Sequence, residues 1–145
     1  MKAKLLIILS VFTTIYLGFY ILKPDSIDFK EKQVTDLSSN IQHQINITKK
    51  SNNMSYLFLP DNLNKSANAV YFYFNRNNNR QLYSFPTAKV SVNNNKMRIH
   101  IKEQDALNDS EVTDTLLLEF QVQSFPEHIE VFFNKEKIDL KQTTY

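Results

Sequence analysis

Residues 88–102 read AKVSVNNNKMRIHIK, and this stretch decides the fold. Apolar and polar residues alternate on both sides of the three asparagines at 93–95. A period of two is typical of β-strands with one buried face. Placing Val92 opposite Met97 keeps the apolar residues of both strands on one face and leaves a two- or four-residue connection within 93–96. The stretch therefore predicts a β-hairpin whose turn uses asparagine, which tolerates positive φ best after glycine.

The same period recurs along most of the chain after residue 40. Alternating or continuously apolar stretches occupy residues 41–47, 56–59, 70–74, 116–122, 129–133 and 138–140. No window of comparable length keeps a helical repeat, so we predict an all-β domain of eight or nine strands. His43 falls in phase with the isoleucines around it, which predicts a buried or edge imidazole. The pattern favours two packed antiparallel sheets, an immunoglobulin-like or jelly-roll-like sandwich, with a small β-barrel as the alternative.

The start of the chain predicts a membrane anchor. Lys2 and Lys4 precede residues 5–22, which carry no charge and would span about 27 Å as a helix, close to the hydrocarbon thickness of a bilayer. No small-x-small cleavage pattern follows, so we predict an uncleaved anchor over 1–24, with a cleaved signal peptide as the alternative. The short N-terminal tail favours a single-pass protein with its C-terminal domain extracytoplasmic. We interpret 25–39 as a polar stalk and 40–145 as the domain.

Composition excludes several classes of function. Beyond residue 24 the chain has 14 basic and 15 acidic residues, and this near balance disfavours nucleic-acid binding. The absence of cysteine excludes disulfides, thiol nucleophiles and thiolate metal sites. The single glycine, Gly18, lies inside the apolar run, so a P-loop, a dinucleotide-binding loop and a nucleophile elbow are also excluded. We expect no cofactor.

Metal and catalytic sites have no specific support in the sequence. The three histidines, at 43, 100 and 128, belong to separate predicted strands, and no carboxylate spacing joins them into a metal site. The acidic loop 103–114 lacks the ligand spacing and the turn glycine of an EF-hand. A looser calcium site is the alternative to a solvated loop there, with candidate ligands Asp105, Asp109, Glu111 and Asp114. No serine is arranged with a histidine and an aspartate as a nucleophile would require, so we expect no metal ion and no catalytic residues.

Charge is unevenly distributed along the domain. Residues 62–102 hold seven basic residues and no acidic one, whereas 103–139 hold ten acidic residues and two lysines. Two arginines flank the three asparagines at 77–79, in a predicted exposed hairpin loop, and tyrosines lie on the adjoining strands. Because basic groups beside tyrosine rings suit an anionic partner, we predict a binding site there. Its residues are Tyr71, Tyr73, Arg76, Arg80 and Tyr83. The alternative is that strands from the two halves interleave and their charges cancel.

Two classes of function remain open. The first is a membrane-tethered, non-catalytic binding or assembly domain of a bacterial cell envelope, held in the membrane by residues 5–22. Its partner would be another envelope protein, acidic in character, or an anionic polymer. The second is an envelope hydrolase with a site on loops such as 60–68 and 103–114. We favour the first class because it requires no residue that the chain lacks.

Overall fold

The fold is described from a computed structural model, which describes residues 27–61, 69–76, 84–93, 95–109, 112–121 and 126–145. Nine strands, one α-helix and one 3-10 turn occupy these ranges. The strands are β1 Phe29–Glu31, β2 Ser55–Leu59, β3 Ala69–Asn75, β4 Ser84–Asn93, β5 Lys96–Asp105, β6 Thr115–Gln121, β7 His128–Phe133, β8 Glu136–Ile138 and β9 Leu140–Thr144. The 3-10 turn is Val34–Asp36, and the helix α1 is Ser39–Thr48.

The described strands form two open sheets. One has five strands in the order β1-β6-β3-β2-β9, and the other has four in the order β4-β5-β7-β8. The predicted two-sheet, mostly β architecture is therefore confirmed, and these strands do not form the closed barrel considered as the alternative. The prediction of purely antiparallel sheets is wrong, since β2 pairs with β9 and β5 pairs with β7 in parallel.

The main core lies between the two sheets. Alternating side chains of β3 and β6, such as Phe72 and Leu118, face alternating side chains of β5 and β7, such as Ile99 and Val131. All four are almost completely buried. Phe74 from the five-stranded sheet also meets Phe133 from the four-stranded sheet, with ring centroids 5.0 Å apart. The period of two in the sequence therefore arises because each of these strands buries one apolar face between the sheets.

A second, smaller core lies on the opposite face of the five-stranded sheet, beneath α1. Leu37, Ile41 and Ile45 are buried there against Tyr73 and other residues of β2, β3 and β6. Ile41 and Ile45 are spaced by four, the repeat of one helix face. Leu37 joins them from the extended backbone just before α1. The prediction of a strand at 41–47 is therefore wrong, and His43 is exposed on the helix rather than buried.

The predicted stalk contributes to the fold. Phe29–Glu31 forms the edge strand β1, in which Lys30 pairs with Glu119 of β6, and Ile27 packs against the main core. The folded unit therefore begins before the predicted boundary at residue 40. Residues 1–26, which include the predicted anchor, lie outside the described residues. Within the described part of the chain, no helix has the length and apolar character needed to cross a bilayer.

The hairpin at 88–102 forms in the predicted register. Val92 pairs with Met97 and Asn93 pairs with Lys96, which leaves a two-residue connection, and Asn95 has a φ of 61°. A second tight turn joins β7 to β8, where Asn134 and Lys135 have φ values of 48° and 75°. Two successive residues with positive φ are typical of the turn type that matches the twist of paired strands.

Candidate binding face

Arg76 is buried, which contradicts the exposed position predicted for it. Its side chain is 0% exposed, and its guanidinium donates to four residues in three other segments of the chain. Nη1 donates to Glu103 Oε1 at 2.9 Å and to Ser84 Oγ at 2.6 Å. Nη2 donates to Asp114 Oδ1 at 2.8 Å and to the Thr113 carbonyl at 2.7 Å. A buried guanidinium held by two carboxylates in this way is not available to a partner, and removing it would disrupt a buried ion-pair network.

Neither of the two described tyrosines of the predicted site, Tyr71 and Tyr73, is fully exposed. Tyr73 is fully buried beneath α1, and burial raises the pKa of its phenol to about 12. Tyr71 is half-buried, and its ring lies 5.9 Å from that of Tyr145. Both tyrosines do face away from Phe72 and Phe74, as the alternation predicted. Arg80 and Tyr83, the other two residues of the predicted site, lie outside the described residues.

Basic side chains instead gather on the outer face of the four-stranded sheet. Because residues facing the main core alternate with residues facing solvent, the polar half of the hairpin at 88–102 points outward. With the neighbouring strands it forms a surface that we call the basic face. Its charged residues are Lys89 on β4, Lys96, Arg98 and Lys102 on β5, Glu130 on β7 and Lys137 on β8. Among the residues that the structure describes, five cations therefore share this face with one carboxylate.

Glu130 organises three of these cations. Lys96 Nζ lies 2.8 Å from Glu130 Oε2, Lys137 Nζ lies 3.0 Å from Oε1, and Arg98 Nε donates to Oε2 at 3.3 Å. Hydrogen bonds from Lys96 and Lys137, with a smaller contribution from Arg98, lower the pKa of Glu130 to about 2. The carboxylate is ionised at neutral pH and holds three positive groups close together on a solvent-facing surface.

One row of paired residues crosses the basic face from edge to edge. Lys89 pairs with His100, His100 with Phe132, and Phe132 with Lys137. The rings of His100 and Phe132 are stacked, with centroids 4.8 Å apart and planes 9° from parallel. Because that distance matches the spacing of neighbouring strands, the rings stand side by side on the sheet. The stacked pair therefore occupies the middle of the row, with Lys89 at one end and Lys137 at the other.

A cleft and the acidic loop were the other candidates for a site. The cleft has a volume of about 270 Å³ and is lined by Asn52, Asn53, Met54, Lys137, Ile138 and Asp139, so it opens beside the rim of the basic face. In the calcium set considered from the sequence, Asp114 is engaged by Arg76, and Glu111 lies outside the described residues. Among the residues that the structure describes, no three His, Asp or Glu side chains are grouped to hold a metal ion.

The sequence contained part of the signal for the basic face. The alternation in 88–102 already places Lys89, Arg98 and Lys102 opposite the apolar residues of the hairpin. Glu130 and Lys137 join them only through the parallel pairing of β5 with β7, which no local pattern indicates. Comparisons of the chain with protein-family models, with curated proteins and with solved structures find no match.

Proposed function

We propose that this chain is a membrane-tethered, non-catalytic binding or assembly domain of a bacterial cell envelope, and that the basic face contacts an acidic protein or an anionic polymer. The observation that carries the proposal is the excess of five cations over one carboxylate on a single sheet face. Such a surface attracts anions over distances comparable with the Debye length. The helix and the smaller core cover the other sheet and leave the outer side of β4, β5 and β7 to solvent.

The placement in the envelope rests on the sequence. The uncharged run at 5–22 is long enough to span a bilayer, and the short N-terminal tail favours export of the domain. Assignment of the sandwich as immunoglobulin-like or jelly-roll-like also stays a prediction, and the two parallel strand pairs count against it. The hydrolase alternative is weakened because two acidic residues of its proposed loop, Glu103 and Asp114, both form ion pairs with Arg76.

A paired set of variants tests the proposed function. Lys89 and Lys102 are exposed, and neither forms an ion pair within the described part of the chain. Lys49 and Lys50, at the end of α1, are equally exposed and lie on the other side of the molecule. We expect Lys89→Ser/Lys102→Ser to lose most of the anionic material that the immobilised full chain captures from solubilised envelopes at low salt. Lys49→Ser/Lys50→Ser should capture as much as wild type, and equal losses in both variants would contradict the proposal.

A further inference from the structure

Resting on the proposed function, we infer that the anionic partner is an extended linear polymer that lies across the basic face, and not a folded acidic protein. Three properties of the face lead to this choice: the arrangement of its charges, its size and the identity of its cations. Each is a property of side chains on β4, β5, β7 and β8.

The charges extend along the sheet face, from the three cations around Glu130 to Lys89 and Lys102. Lys96, Arg98 and Lys102 follow one another along β5 on the same side of the strand. Lys89 and Lys137 flank that line on the two outer strands. A compact anion would contact only one or two of these groups at a time. A flexible chain with a charge on every repeat can contact all of them in succession, and each contact raises the effective concentration for the next.

The basic face is small for a protein interface. From Lys96 to Lys102 and from β4 to β8, strand geometry gives roughly 20 Å by 14 Å, or about 300 Å², whereas a stable protein interface needs about 800 Å² from each partner. Polyanion binding does not depend on buried area in the same way. Its free energy comes largely from the release of counterions condensed on the polymer, and it grows with the number of charges neutralised.

The choice of cations points in the same direction. Four of the five basic groups are lysines, and the single arginine, Arg98, is already engaged by Glu130. Lysine is depleted at the centres of protein interfaces, where arginine and aromatic residues are enriched. An ammonium group is a point charge that accepts an anion from many directions, which suits a polymer without fixed register. Glu130 holds two lysines and Arg98 in place while leaving the face positive.

The dependence of binding on the length of the polyanion tests this inference. The full chain, in a neutral detergent, is titrated with long-chain inorganic polyphosphate and separately with tripolyphosphate, at several salt concentrations. We expect long-chain polyphosphate to bind at least tenfold more tightly per phosphate than tripolyphosphate. The plot of log K against log salt should be steep for wild type and shallower by about 0.7 to 1 for each lysine removed in Lys89→Ser/Lys102→Ser. The matched variant Lys49→Ser/Lys50→Ser should keep the wild-type slope.

Two further probes separate this inference from the proposed function. Serum albumin represents a folded acidic protein, and micelles doped with phosphatidylglycerol represent a lipid surface. One outcome is that Lys89→Ser/Lys102→Ser loses binding to albumin or to the micelles while binding to polyphosphate does not depend on polymer length. That outcome would support the proposed function and contradict the inference that the partner is a linear polymer. Equal binding of every anionic probe to wild type and to the face variant would overturn both.

Discussion

Lys96 on β5 and Glu130 on β7 form a 2.8 Å ion pair between two parallel strands, on the solvent-facing side of the sheet. Glu130 also contacts Arg98 and Lys137 through its two oxygens. One carboxylate therefore reduces the mutual repulsion of three cations that would otherwise weaken the sheet. Protonation of Glu130 at low pH would remove this effect, so the stability of the basic face should depend on the ionisation of Glu130.

The first prediction concerns how the ionisation of Glu130 affects stability as pH changes. The pKa of Glu130 falls from its ordinary value of 4.5 to about 2 in the folded protein. Because the folded pKa is the lower one, the ionised carboxylate contributes stability that is fully present above about pH 4.5 and is lost as pH falls towards 2. We expect the melting temperature of wild type to exceed that of Glu130→Gln at neutral pH, and the difference to disappear near pH 2. Thermal unfolding across this range measures it.

Glu136→Gln is the matched control, since it also removes one exposed carboxylate from the same sheet. A Glu130→Gln difference that stays constant down to pH 2 would show that the substitution acts through something other than the titration of this group.

The second prediction distinguishes the helix from the strand that the sequence suggested. In a strand, residues 45 and 47 would share a face, whereas in α1 Ile45 is 0% exposed and Ile47 is 52% exposed. Ile45→Ala should lower the free energy of unfolding by about 2–5 kcal/mol through loss of a packed side chain. Ile47→Ala should change it by less than about 0.5 kcal/mol. Equal losses in urea denaturation would support the strand.

The third prediction concerns the buried guanidinium. Arg76→Ser removes the cation that pairs with both Glu103 and Asp114 and leaves two carboxylates partly buried together. Such a loss costs about 3–5 kcal/mol, so the variant should unfold at much lower urea concentration or fail to fold. Lys89→Ser, which removes an exposed cation, should stay within about 0.5 kcal/mol of wild type. A melting temperature of Arg76→Ser close to wild type would mean that Arg76 lies in an exposed loop.

The fourth prediction concerns the main core. Phe72 and Leu118 are register partners on adjacent strands and are both almost fully buried. Phe72→Ala should cost about 3–5 kcal/mol and Leu118→Ala about 2–5 kcal/mol. Leu107→Ala, at a position that is 93% exposed, provides a control that should be nearly neutral. Near-neutral values at both core positions would mean that the inward and outward faces of β3 and β6 are exchanged.

Sequence pattern predicted the parts of the fold that depend on alternation. It identified the hairpin register through Val92 and Met97, and it separated Phe72 and Phe74 from Tyr71 and Tyr73. Its failure at α1 has a simple cause, because Ile41 and Ile45 fit a repeat of four as well as a repeat of two. Leu37, four residues further upstream, fits both repeats as well, whereas the polar His43 would share the buried face of a strand with Ile41 and Ile45 and is exposed in α1.

Pairing between distant segments was not predictable in the same way. Arg76 meets Glu103 and Asp114 across separations of 27 and 38 residues, so nothing near it in the sequence indicated burial. The sequence predicted a hairpin that continues from β3 around 77–79, yet both edges of β3 are occupied, by β2 and β6.

Lysine footprinting tests the central claim most directly, because the chain carries its own controls. The full chain in neutral detergent is acetylated with and without long-chain polyphosphate, and the modification of each lysine is followed by mass spectrometry. We expect acetylation to slow at the four lysines of the basic face, Lys89, Lys96, Lys102 and Lys137. It should be unchanged at Lys49, Lys50 and Lys141, which are exposed on the helix side of the molecule. Protection of those three lysines to the same degree as the four would contradict the assignment of the basic face as the binding surface.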